Sequence, residues 1–152
     1  PASSTACRAL SKNSETPSGN VKESVPFFMI TNMEASLGFY VDGLGFTKTL
    51  DWRPRGRIEW CRLEHGGAAL LLQGYRDGHR PDAKLGVGFS VCFTCEDALA
   101  IYRETTAKGL HTEQKPFVGN NMWVVHFKDP DGYDIYFESP TDAPEESELP
   151  DS

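Results

Sequence analysis

Residues 30–35, Ile-Thr-Asn-Met-Glu-Ala, are echoed by residues 93–98, Phe-Thr-Cys-Glu-Asp-Ala. Each stretch joins a short β-prone run to a segment with helical spacing. Before the first lies Val25-Pro-Phe-Phe-Met-Ile-Thr, an apolar run that reads as a strand. After it, Asn32 is a candidate N-cap, and Met33, Leu37 and Tyr40 share one helical face. Gly43 and Gly45 close that helix. Residues 46–50, 58–64 and 68–73 then read as strands, the last two joined by the turn His65-Gly66-Gly67. The order is βαβββ.

The same order returns after a Gly-, Asp- and Pro-bearing linker over residues 74–86. Residues 89–94 read as a strand and residues 96–108 as a helix, with Leu99 and Tyr102 among its apolar positions and Gly109 at its end. A weak strand is expected over 110–115 and a firm one over 122–127. Asp129-Pro130-Asp131-Gly132 is a tight turn, because Pro presets one dihedral and Gly accepts a positive φ. A final strand covers 133–138. Leu63 matches Phe127, each before its own turn, and Leu70-Leu71-Leu72-Gln73 matches Ile135-Tyr136-Phe137-Glu138. A repeated element order with repeated residues is a stronger signal than any single motif. It predicts an α+β fold of two tandem βαβββ modules, residues 24–74 and 87–139.

The flanks differ from this body. Residues 1–23 are polar with little apolar periodicity and read as a flexible arm. Residues 140–152 read as a mobile acidic tail. From Thr141 on, the tail carries five acids and no base, the first 24 residues carry +1, and the chain as a whole carries −7. The body is therefore only mildly acidic, at −3. Nucleic-acid binding is disfavoured, since phosphate contacts need a basic face. No apolar run of about 18 residues exists to span a bilayer, and the N-terminus lacks a signal peptide's apolar stretch. A soluble, cytoplasmic protein is expected. Cys92-x-x-Cys95 falls in a strand rather than opening a helix, and no second ligand pair is spaced for zinc. With Cys7 and Cys61, these residues read as free thiols.

Two stretches carry a family resemblance. Asn32-Met33-Glu34-Ala35-Ser36-Leu37-Gly38-Phe39-Tyr40 with Leu44-Gly45-Phe46, and Phe127-Lys128-Asp129-Pro130-Asp131-Gly132-Tyr133-Asp134-Ile135, resemble the first helix and final hairpin of the vicinal-oxygen-chelate superfamily. This superfamily comprises glyoxalases, bleomycin-resistance proteins and dioxygenases. The resemblance covers residues 24–139. It implies curved mixed sheets around a cavity, helices outside, and commonly a homodimer. It also implies metal-ligand positions, which resemble Val25, Leu71, Gly88 and Tyr136 here, with Phe89 in place of Gly88 after a one-residue slip. Val, Leu and Gly offer no lone pair, and Tyr is a poor ligand near neutral pH. No metal cofactor is expected, and the metal-free bleomycin-resistance-like branch is the nearer likeness.

Residues on that face then define a candidate ligand cavity. Phe27, Met29, Val25 and Leu71 supply apolar walls, and Trp60, Arg62, Gln73, Ser90, Cys92, His126, Tyr136 and Glu138 supply aromatic and polar groups. Such a mix suits a small molecule, here an aromatic or cationic one held by stacking and cation–π contacts. A second reading makes His126 or Glu138 a general base and Arg62 an enolate partner. A third has these residues merely filling the space between sheets, with Arg62 paired to Glu138. No catalytic residue is assigned.

Overall fold

A computed structural model describes residues 18–151. The first module supplies β1 (Phe27–Ile30), α1 (Met33–Leu37), β2 (Thr47–Trp52), β3 (Trp60–His65) and β4 (Ala68–Gly74). The second supplies β5 (Ser90–Thr94), α2 (Ala98–Ala107), β6 (Phe117–Gly119), β7 (Met122–Lys128) and β8 (Asp134–Pro140). The strands form two four-stranded mixed sheets, ordered β1-β4-β3-β2 and β5-β8-β7-β6. The same permuted order in both sheets is the architecture expected of tandem βαβββ modules.

Local chemistry sets the element ends. The Asn32 side chain accepts the Ala35 N–H at 3.0 Å and caps α1, as expected. Asp97 does the same for α2 through Ala100. The first helix was expected to run on past Tyr40. Instead it widens into a π-helical turn over Gly38–Gly43, where Leu44 N–H reaches Phe39 O at 2.9 Å. The strand expected over 110–115 forms at Phe117–Gly119 instead. There a hairpin at Asn120-Asn121, both with positive φ, fixes its register against β7.

The repeat itself needs a correction of two residues. Phe28 pairs with Leu72, and Phe93 pairs with Phe137. If Leu72 and Phe137 are equivalent, Phe28 answers Phe93, and Asn32 answers Asp97, so the two caps coincide. Aligning Ile30 with Phe93 overrode this sheet register in favour of local residue likeness.

One core serves both modules. Phe28, Ile30, Leu63, Leu70 and Leu72 of the first sheet are buried with Val91, Val125, Phe127, Ile135 and Phe137 of the second. Phe39 meets Phe127 and Phe46 meets Phe93, with ring centroids 6.4 and 5.5 Å apart. Gly43 is buried where the two helix ends meet. A side chain there would strike Leu110, and its carbonyl accepts Lys108 Nζ at 3.1 Å.

The turn 129–133 clamps the modules together. Asp129, 5% exposed, accepts Asp131 N–H and Tyr133 N–H on one oxygen and the Tyr40 hydroxyl on the other, each at 2.9 Å. Tyr133 stacks on Phe28 at 4.6 Å and donates its hydroxyl to Met29 O. The Asp131 carboxylate accepts from both the amide and the hydroxyl of Thr31. The Asp-Pro-Asp-Gly turn forms as expected, with Gly132 at φ +92°.

The tail expected to be mobile lies against β6. Glu146 N–H reaches Val118 O, Val118 N–H reaches Ser147 O, and Leu149 N–H reaches Pro116 O. The Glu145 carboxylate accepts the N–H groups of Asn120 and Asn121 at 3.0 and 2.5 Å. An edge strand left with free donors and acceptors recruits a partner, and this chain supplies its own. Glu145→Ala should lower stability by about 1 kcal/mol through the lost turn contacts, read as a shift in urea midpoint. Of the N-terminal arm, residues 1–17 lie outside the described residues, and residues 18–24 are exposed.

Candidate functional site

Period two along each strand sends alternate residues to opposite faces, so burying one face in the core fixes what the other displays. On the first sheet, register lines up Met29, Gln73, Trp60 and Trp52 in one row and Phe27, Leu71, Arg62 and Leu50 in the next. On the second, Cys92, Tyr136 and His126 form one row, and Ser90, Asp134 and Lys128 another. Thr94, Glu138, Val124 and Phe117 complete that face.

Nine of the twelve residues expected in the cavity, Phe27, Met29, Trp60, Arg62, Gln73, Ser90, His126, Tyr136 and Glu138, lie on these faces, with Leu71 and Cys92 beside them and Val25 just before β1. The first sheet brings together Phe27, Met29, Trp60, Arg62 and Gln73. The second brings together Ser90, His126, Tyr136 and Glu138. Among the described residues no hydrogen bond, ion pair or ring contact joins one set to the other. Both faces are open to solvent. Phe27 is 51% exposed, Leu50 58% and Trp52 50%, and Ser90, Cys92 and Thr94 are exposed as well. Three surface hollows, at Gln114–Glu148, Arg80–Lys84 and Thr31–Asp77, are lined by none of the nine.

Arg62 does not pair with Glu138. Its guanidinium takes the Glu23 carboxylate with both terminal nitrogens, at 2.7 and 3.3 Å, and reaches Glu64 at 3.3 Å. Glu23, expected in the free arm, is thus held against the first sheet. The hydrogen bond from Arg62 keeps the Glu23 carboxyl below its ordinary range.

His126 forms the most developed polar group. Its Nε2 lies 2.7 Å from Asp134 Oδ1, and its ring stacks on Tyr136 with centroids 4.3 Å apart and planes 8° from parallel. Lys128 Nζ also donates to Asp134 at 2.7 Å. The bonds from Lys128 and then His126 hold the Asp134 carboxyl low, so it is an anion near neutral pH. An anion there keeps the proton of a neutral imidazole on Nε2 and leaves Nδ1 as the acceptor.

Sequence reasoning missed Asp134, Leu50 and Trp52. Asp134 stands two residues before Tyr136, and Trp52 two beyond Leu50, so the alternation itself carried the signal. The thiols remain free at Cys61, Cys92 and Cys95; Cys7 lies outside the described residues. Burial pushes the Cys61 thiol up to about 11, which suits a structural rather than a nucleophilic role. Cys92, exposed as a residue, is pushed to about 11 by partial desolvation of its sulfur and by the neighbouring Glu138.

The metal positions can be tested against the corrected register. Leu71 pairs with Phe27 and Tyr136 with Cys92. The partner position of Val25 in the second module becomes Ser90 rather than Gly88. Phe27 and Leu71 offer no donor, and among the described residues no group of three or more His, Cys, Asp or Glu is placed to hold a metal ion. The donor set does not fit the superfamily's metal.

Residues 26–137 match the family model of the Glyoxalase/Bleomycin resistance protein/Dioxygenase superfamily. The chain belongs to this superfamily. Similar solved structures include TnmS3, an antibiotic binding protein from Streptomyces sp. CB03234, at 22% identity and a TM-score of 0.61, covering 79% of this chain and 98% of that one. TioX from Micromonospora sp. ML1 is 19% identical with a TM-score of 0.61, covering 81% and 99%. A superfamily member from Sphaerobacter thermophilus DSM 20745 is 22% identical with a TM-score of 0.58, covering 78% and 98%. These likenesses carry the fold. No curated protein sequence matches the chain. Among the described residues no helix is long and apolar enough to cross a membrane.

Proposed function

We propose that this superfamily member is a binding protein that holds a small aromatic or cationic molecule on its site faces without a metal. The observation that carries the reading is the row Met29, Gln73, Trp60 and Trp52, half-buried at the first three and exposed at Trp52. A row of two indoles beside an amide gives a flat ring a surface to stack on and a polar group to orient it. Glu138 on the second sheet gives a cation its counter-charge. TnmS3, with the same fold, is an antibiotic binding protein, and drug sequestration is the corresponding role here.

We further propose that the protein works as a homodimer. Phe27, Leu50 and Trp52 leave an apolar face in water within one chain, and faces of that kind mark interaction surfaces. A second copy would close the site over the ligand.

The test is a tryptophan-fluorescence titration with metal-free bleomycin at low and high salt. Saturable quenching at one ligand or fewer per chain is expected. Trp60→Phe should keep most of the affinity, and Trp60→Ala should weaken binding by about tenfold. No response at high micromolar ligand rejects the reading for that drug.

The His126–Asp134 pair favours a second reading, a lyase, isomerase or dioxygenase-type enzyme acting on a small metabolite. A fixed tautomer with a free Nδ1 is what a general base requires. On that reading His126→Gln abolishes turnover and leaves ligand affinity within a few-fold. On the binding reading the same substitution changes affinity alone.

A further inference from the structure

We propose that the hollow at the hairpin end of the first sheet is an anion subsite for a phosphate-bearing small molecule. The tip between β2 and β3 reads Arg53-Pro54-Arg55-Gly56-Arg57, three guanidinium groups within five residues of a chain carrying −7 overall. Like charges packed this closely repel one another unless anions sit among them. Asp51 takes Arg53, and the single carboxylate of Glu59 serves both Arg55 and Arg57. The fold brings further groups to the same end. Arg55, Arg57 and Glu59 from the hairpin, Thr31 after β1, and Tyr75 and Arg76 after β4 line a hollow of about 540 Å3.

The hydrogen-bond ledger shows what is left for a ligand. Glu59 accepts Arg55 Nη2 at 2.5 Å and Arg57 Nε at 3.3 Å. Arginine carries five N–H donors, so Glu59 uses only a small part of either group. Arg76 makes no ion pair among the described residues. Three guanidinium groups therefore face two carboxylates, Glu59 and Asp77, around the hollow. The lining residues carry one positive charge in excess, and the Asp131 carboxylate bound to Thr31 stands beside them. Planar guanidinium forks match the oxygen spacing of phosphate and bind it with two parallel hydrogen bonds each. Glu59 holds two of the arginines in place and also competes, as a carboxylate, with an incoming anion.

The subsite is separate from the site faces, since none of the nine cavity residues lines it. A tryptophan titration on the other face and an anion titration here fail independently.

The experiment is isothermal titration of the full chain with inorganic phosphate, against sodium chloride at matched ionic strength. Saturable binding of one phosphate per chain is expected, with a dissociation constant of about 1 mM or tighter. Arg76→Gln, in an exposed loop, should weaken it about tenfold, the size expected for a charge-assisted contact. Glu59→Gln should tighten it by removing the competing charge. Arg103→Gln, on α2 and away from the hollow, should leave it unchanged. No saturation above the chloride control overturns the proposal. So does equal weakening by Arg76→Gln and Arg103→Gln, or weakening by Glu59→Gln.

Discussion

Asp129→Ala should cost about 3 kcal/mol of stability, the largest loss expected from any single polar side chain here. The substitution leaves Asp131 N–H, Tyr133 N–H and the Tyr40 hydroxyl without their acceptor, and each unmatched buried donor costs about 1 kcal/mol or more. Tyr40→Phe removes one partner and should cost about 1 kcal/mol. Denaturant midpoints measured together separate the two, and equal losses would refute the shared-acceptor account. The same carboxyl gives a pH signature. Burial, against the hydrogen bonds it accepts, raises its pKa above the ordinary aspartate value. A raised folded pKa means the native state binds more protons than the unfolded one between the two values. Its stability contribution is therefore full below the unfolded value of about 3.9 and is lost as pH rises through the folded one. Relative to Asp129→Asn, the protein should gain stability as pH falls from neutral through that window. The opposite slope would mean that the three hydrogen bonds outweigh burial.

Trp52→Glu should move the protein from dimer to monomer, weakening self-association roughly 100-fold, as truncating a central aromatic anchor does. Trp52 is half exposed on an edge strand and pairs in register with Trp60, so a charge there is tolerated by the single chain and resisted by an apolar partner. Sedimentation velocity over a concentration series reads the change. Circular dichroism confirms that the fold is kept. An unchanged oligomeric state would remove the homodimer proposal and leave the site faces to be covered by ligand alone.

Particular residues show where the sequence was legible. Ile135 and Phe137 alternate with Asp134, Tyr136 and Glu138, and that period declared both a strand and its buried face, whereas residues 27–30 and 70–72 are unbroken apolar runs that declared strands without saying which face is buried. The nine residues expected to line a cavity occupy the complementary phase, which is why they share one face of each sheet. Asn32 announced a helix start through its side-chain acceptor, and Asp129-Pro-Asp-Gly announced a turn through its dihedral preferences. Less was visible at β6. Only a weak strand is expected over the mostly polar residues 110–115, and the ladder forms instead at Phe117–Gly119, because the Asn120-Asn121 turn sets the hairpin and the tail bonds to it.

The sequence by itself determined the duplicated βαβββ architecture and the superfamily, because each rests on periodicity or residue chemistry within one segment. Only the tertiary structure decided the pairings between segments. It gave Arg62 to Glu23 rather than Glu138, His126 to Asp134, and Asp129 to Tyr40 across 89 positions of chain. It also laid an apparently free tail against β6 through an isolated bridge between Phe117 and Glu148. Such choices depend on which groups the packed backbone brings within 3 Å or so of one another, and local preference does not encode that distance.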